Sequence, residues 1–189
     1  MEKKRKIAVI IGSKSDLSQC GRGLKVLEEC SQLVDIVGVY VMSQHRNTLE
    51  LQDLLKTLVS MEVDVIITGA GWANHLTGCC DAFLRYTLRD DKVVVIGVAF
   101  EDITSEKGSV RDKHNRAAVL AMTEVPGTQV LFDFHDFDLI GDLAYTGVDG
   151  FANACKIAAS RLLPKITLPA PKETCTFTLE EALEIASQK

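Results

Sequence analysis

Residues 7–11, Ile7-Ala8-Val9-Ile10-Ile11, form an apolar run without the polar alternation of a strand that has one wet face. A strand of this kind is buried on both sides, which happens chiefly in parallel sheets covered by helices on either face. Ile36 to Val41, Val63 to Thr68 and Val93 to Val98 are further short runs of the same kind. Between them the spacing turns helical: Leu17, Cys20, Leu24 and Leu27 in the first interval; Leu51, Leu54, Leu55, Leu58 and Val59 within Thr48 to Met61; Leu76 to Leu88 in the third. Such alternation builds βαβ units with right-handed crossovers. The expected fold is α/β, a three-layer αβα sandwich around a central parallel sheet, flavodoxin-like in kind.

The second half is patterned less sharply. Glu101 to Arg116 is a charged stretch containing Gly108, read as an exposed loop or a frayed helix, and Arg116 to Met122 as helical. Pro126-Gly127 marks a turn, Gln129 to Phe132 a fifth strand, and Gly150 to Leu163 a helix. Asp133 to Asp138 alternates acids with aromatics and has no obvious place in a core. Pro164, Pro169 and Pro171 make an extended connector, and Thr178-Leu179-Glu180-Glu181 has capping-box form ahead of a last helix. This divides the chain into an α/β domain, 1–165, and a proline-containing connector with a C-terminal helix, 166–189. The tail helix can pack on a neighbouring subunit or on its own domain.

Several classes of function are excluded. With a net charge of -5 and only Lys3-Lys4-Arg5-Lys6 as a basic run, the chain offers no stripe for nucleic acid. No apolar stretch approaches the ~20 residues of a membrane span, and no signal peptide is visible. Six cysteines without paired C-x-x-C spacing are expected to be reduced thiols in a cytoplasmic protein.

What remains is concentrated in the loops that follow the first three strands, which a parallel sheet gathers along one edge. Gly12-Ser13-Lys14-Ser15-Asp16 combines a tight turn, two hydroxyls and the amides of a starting helix. That is either a phosphate cradle or an ordinary helix cap. In Ser43-Gln44-His45-Arg46-Asn47, Arg46 can clamp a phosphate and His45 can carry a proton with an unperturbed pKa near ~6.5; alternatively Asn47 merely caps the next helix. Gly69-Ala70-Gly71-Trp72-Ala73-Asn74-His75 places two glycines where a backbone must approach something closely. Trp72 can lid a flat ring or plug a subunit contact, and His75 opens a helix, whose dipole disfavours its charged form. His114 and His135 fall in segments the pattern does not place. A metal site from His45, His75 and a cysteine lacks any ligand spacing, and none is expected.

Taken together, these loops resemble the PurE family, the aminoimidazole ribonucleotide carboxylases and carboxyaminoimidazole ribonucleotide mutases of purine synthesis. The family carries G-S-x-S-D, S-A-H-R-T-P and G-A-G-G-A-A-H-L-P-G in this order. Here stand G-S-K-S-D at Gly12–Asp16, S-Q-H-R-N at Ser43–Asn47 and G-A-G-W-A-N-H-L-T-G at Gly69–Gly78. The resemblance covers about the first hundred residues, with weaker echoes at Pro126-Gly127 and around Asn153. It implies that Gly12, Ser13, Ser15 and Asp16 bind ribose and phosphate, and that Ser43 and Arg46 hold the phosphate. His45 would be the general acid/base, with His75 also catalytic. Gly69, Ala70 and Gly71 would line the imidazole and carboxylate end with His75, and Trp72 and Asn74 would form its wall. The implied partners are a ribonucleotide and CO2. No metal, nucleotide or organic cofactor is implied, and the assembly is a homo-octamer with sites shared between neighbours.

The departures matter for substrate. Gln44 replaces a small alanine, Asn47 stands where the family has threonine and proline, and Trp72 and Asn74 replace a glycine and an alanine. The family's D-S-L-L-S-I-V-Q-M-P segment is replaced by Arg116 to Pro126. A tryptophan in a ribonucleotide pocket either sharpens stacking or closes the site to the usual substrate. His75 favours the mutase type over the direct carboxylase. The leading expectation is therefore conversion of N5-carboxyaminoimidazole ribonucleotide to its 4-carboxy isomer. The alternatives are direct CO2-dependent carboxylation, action on another phosphorylated heterocycle, and a non-catalytic phosphosugar-binding oligomer.

Overall fold

The computed structural model describes residues 3–131, 146–160 and 162–188. Its strands are β1 (Arg5–Ile11), β2 (Val34–Val41), β3 (Val65–Ala70) and β4 (Val94–Ala99). Its helices are α1 (Gly21–Glu29), α2 (Thr48–Ser60), α3 (His75–Ala82), α4 (Ser109–Thr123), α5 (Gly147–Ala159) and α6 (Leu179–Ser187). The strands form one sheet in the order β2-β1-β3-β4, with every pairing parallel. The chain is the α/β sandwich that the alternation predicts.

Successive strand residues feed two different cores. Ile7, Val9, Ile11, Val65 and Ile67 meet Leu27 of α1 and Phe151 and Cys155 of α5 on one face. Ala8, Ile10 and Ile66 meet Leu51, Leu55 and Leu58 of α2, Cys80 of α3 and Met122 of α4 on the other. Both faces of β1 are core, so no position between Ile7 and Ile11 tolerates a polar side chain.

Several boundaries differ from the sequence pattern. The first helix comes in two pieces: a 3-10 turn, Lys14–Gln19, precedes α1. α4 starts at Ser109 rather than Arg116, because only Ala118, Val119 and Met122 reach the core and the earlier turns show no apolar spacing. Past Ala82 the third helix widens into a π-helical turn, Phe83–Thr87. The described part of the expected fifth strand is reduced to one parallel bridge between Leu131 and Ile96. Phe132, the 133–138 segment and His135 lie outside the described residues. The capping box at Thr178 and Glu181 forms, yet no residue of α6 is buried. The connector is tied down at Thr167, which exchanges two hydrogen bonds with the Gln129 side chain.

One buried ion pair anchors the edge beside β4. Arg85 is fully buried; its Nε donates to Asp81 Oδ1 (3.1 Å), and its other nitrogens donate to the carbonyls of Asp90 (2.9 Å) and Val93. The second oxygen of Asp81 accepts the Gln129 N–H (2.8 Å), which places the segment leading to the Leu131 bridge. Removing the guanidinium leaves an uncompensated carboxylate in the interior. Arg85→Ala is therefore expected to lose ~3–5 kcal/mol of stability. Urea unfolding followed by circular dichroism checks this, and a loss near zero would contradict it.

Candidate functional site

β2 and β3 lie on opposite sides of β1, so the loops leaving β1 and β3 diverge and open a crevice at the carboxyl edge of the sheet. A cavity of about 500 Å³ occupies it.

The first loop begins where β1 leaves β3. The Gly12 N–H donates to the Gly69 carbonyl (2.8 Å), and a Cβ at residue 12 would come within 2.9 Å of Ala70 Cβ. Beyond it the Ser13 and Ser15 hydroxyls are hydrogen-bonded to each other at 2.8 Å, at the head of the 3-10 turn. Asp16 follows, buried at the cavity wall; burial pushes its carboxyl up to about 6, against the opposing effect of a backbone hydrogen bond from Ser13.

In the second loop, Asn47 occupies the cap position of α2 but turns its side chain back to accept the Ser43 N–H (3.2 Å). The turn is thereby closed on itself. Arg46 reaches across to the Gly12 carbonyl (3.3 Å), so a guanidinium stands over the serine-bearing first loop. His45 Nε2 lies 2.7 Å from His75 Nδ1. The rings meet edge to face, with centroids 4.9 Å apart. This spacing holds one proton between the two nitrogens, so one imidazole donates and the other accepts.

The third loop has two non-glycine residues in left-handed backbone, Trp72 (φ 56°) and Asn74 (φ 36°). A buried chain of hydrogen bonds holds Asn74 there. Asn74 Nδ2 donates to the Val98 carbonyl (3.1 Å) and its oxygen accepts from Thr77 Oγ1 (2.9 Å), which in turn accepts from Thr68 Oγ1 (3.0 Å). With Asn74 locked inward, His75 becomes the first residue of α3 and faces outward to meet His45.

From the first loop Gly12, Ser13, Ser15 and Asp16 border the cavity, and from the second Ser43, His45 and Arg46. From the third, Ala70, Gly71, Trp72, Asn74 and His75 do so. Gly69 does not; it is enclosed in β3, where a Cβ would strike the Phe100 ring at 2.5 Å. Asn74 borders the cavity, but its amide serves the scaffold. A fourth wall that the motifs did not reveal is built by Glu101, Asp102, Ile103 and Thr104. Gln19 exchanges two 3.0 Å hydrogen bonds with the Glu101 backbone and pins this wall to the first loop. Its one sequence signal is position: these residues follow β4 directly, and β4 ends at the same edge.

The fold and site define an α/β protein with a cavity at its strand ends, lined by serine hydroxyls, a guanidinium and two imidazoles. The model of a family described as AIR carboxylase matches residues 6–124. An N5-carboxyaminoimidazole ribonucleotide mutase of Pyrococcus abyssi (strain GE5 / Orsay) is 30% identical over 169 residues, covering 89% of this chain and 78% of that protein. A protein of the same name from Mycobacterium leprae (strain TN) is 36% identical over 78 residues, 41% of this chain and 44% of its own. A crystal structure of a PurE2 variant from Treponema denticola shares the fold, with a TM-score of 0.52 at 16% identity over 82% of this chain and 89% of that one. The chain belongs to the AIR carboxylase, or PurE, family.

The raised Asp16 carboxyl has a measurable consequence. Its ionised form is favoured by the unfolded chain, so stability falls as pH rises from ~3.9 to about 6 and is level above that. An ionised Asp16 also repels a bound phosphate. Affinity for ribose 5-phosphate is therefore expected to drop as pH rises through about 6 by more than in Asp16→Asn, which lacks this carboxyl and keeps every other titrating group of the site. Calorimetric titration of both proteins checks this; parallel pH profiles would contradict it.

Proposed function

We propose that this protein moves a carboxylate on aminoimidazole ribonucleotide, converting the N5-carboxy form to the 4-carboxy isomer in purine synthesis. The observation that carries the reading is the His45–His75 contact at 2.7 Å on the edge of a cavity whose other walls offer Ser13, Ser15 and Arg46 to a phosphate.

The reaction needs no net proton. When the exocyclic N–CO2 bond breaks, CO2 leaves and the nitrogen gains a proton. When the adjacent ring carbon attacks CO2, that carbon loses one. A single group that gives a proton and later takes one back satisfies both steps, and an imidazole titrating near neutrality is suited to it. His45 is assigned this role. His75, the first residue of α3, can accept or return the proton shared with His45. The phosphate end is assigned to Ser13, Ser15, Ser43 and Arg46, with bidentate contact from the guanidinium.

Between its two steps the mutase must keep CO2 from escaping into water. His45 and His75 are both exposed in the single chain, so the working site needs a cover. The homo-oligomer implied by the family resemblance would supply it from a neighbouring copy.

His45→Asn is expected to lower turnover of the N5-carboxy substrate by ~10²–10⁴-fold, the usual worth of a general acid/base, while ribose 5-phosphate affinity stays within a few-fold. Ultraviolet absorbance of the carbon-carboxylated product follows the first quantity and calorimetry the second. Near-normal turnover in this variant would remove His45 from the mechanism. Activity of the wild type only at high CO2, from the uncarboxylated ribonucleotide, would make the protein a direct carboxylase.

A further inference from the structure

The His45–His75 chemistry leaves a histidine–carboxylate pair beside the cavity unused. His114 of α4 contacts Asp102 Oδ2 through Nδ1 at 2.6 Å, and its imidazole lies face to face with the Trp72 indole, with centroids 4.0 Å apart and planes 19° from parallel. Asp102 is buried, and its other oxygen accepts the Thr104 N–H (2.9 Å), the Thr104 hydroxyl (2.8 Å) and the Ser105 N–H (3.0 Å). Its carboxylate is thus fully bonded and fixes the ring of His114. The next residue along, Asn115, accepts the Asp102 N–H at 2.8 Å, so α4 is tied to the fourth wall at two consecutive positions.

Trp72 borders the cavity, and His114, stacked on its indole, does not. One face of the indole is covered by His114, while 56% of the residue remains exposed. A large aromatic residue at φ 56° is held in backbone that bulky side chains rarely adopt, and the stack on His114 is what orients it. Nothing in the core requires this arrangement: Trp72 belongs to neither hydrophobic cluster.

We propose that Asp102 and His114 are positioning residues that hold Trp72 as a stacking platform, so that the cavity recognises the flat heteroaromatic ring of a ribonucleotide as well as its phosphate. This rests on reading the cavity as the substrate site. Ring stacking on an aromatic side chain is sequence-tolerant and worth roughly tenfold or more in affinity. Trp72 is the single tryptophan of the chain, so intrinsic fluorescence reports on this contact alone.

The test titrates wild type and His114→Ala with aminoimidazole ribonucleotide, adenosine 5′-monophosphate and ribose 5-phosphate, following fluorescence and heat together. A ring-bearing ligand is expected to quench Trp72 and ribose 5-phosphate to bind without quenching. In His114→Ala the ring-bearing ligand should weaken about tenfold, ribose 5-phosphate should be unchanged, and the anisotropy of Trp72 should fall. His114→Phe, which can stack but offers Asp102 no nitrogen to fix, should recover part of the affinity and not all of it, and serves if the alanine variant does not fold; full recovery would remove Asp102 from the positioning role. Equal affinity and equal fluorescence response for ring-bearing and ring-free ligands would overturn the platform while leaving the proposed reaction standing. Quenching by adenosine 5′-monophosphate without binding of aminoimidazole ribonucleotide would keep the platform and overturn the proposed reaction. Failure of all three to bind would overturn both.

Discussion

One contact between the two central strands, at the edge that carries the cavity, sets the geometry around it. β1 and β3 are joined by the hydrogen bond from the Gly12 N–H to the Gly69 carbonyl, at a point where residue 12 has room for a hydrogen and not for a methyl group. Past this point the strands end and their loops part, because β2 and β4 lie outward on opposite sides. The serines, Arg46 and the two histidines are brought together by that divergence. A side chain at residue 12 would wedge the strands and shift every one of them.

The third loop shows how a strained path is held. Left-handed backbone at Trp72 and Asn74 costs on the order of 1–3 kcal/mol at a non-glycine position, less for asparagine than for tryptophan. The chain of hydrogen bonds from Thr68 through Thr77 and Asn74 to Val98 is buried, so breaking it would leave polar groups without water. The strain is therefore locked in, and its result is that Trp72 and His75 face the cavity from one short segment. Asn74 in this sense shapes the site through the two hydrogen bonds its amide makes within the scaffold.

The first hundred residues are highly legible because each strand there is short, apolar and flanked by stripes of leucine. The same physics that made β1 unmistakable, two buried faces, also made its loop easy to locate. Legibility falls where burial becomes one-sided or sparse. α4 touches the core with Ala118, Val119 and Met122, and its first turns are charged, so its start at Ser109 left no periodic trace. The expected strand at residue 129 is in its described part a single bridge: Leu131 donates to the Val95 carbonyl and accepts the Gly97 N–H, whereas Gln129 is bonded to Asp81 instead of to β4. The surroundings of a glycine are hidden for a related reason: Gly69 packs against the Phe100 ring, and no local pattern distinguishes that from a place at the cavity wall.

From the sequence alone came the layer architecture, the edge that carries the site, and the residue types along the first three loops, because periodicity and loop position are local properties of the chain. Only the tertiary structure decided which of those residues meet. The 2.7 Å contact of His45 with His75 joins two loops, and the stack of Trp72 on His114, with Asp102 behind it, joins a loop to a helix whose sequence gave no hint of the site. Such contacts depend on strand order and on the path of the backbone between elements. Both are settled by packing across the whole sheet, which no window of residues contains.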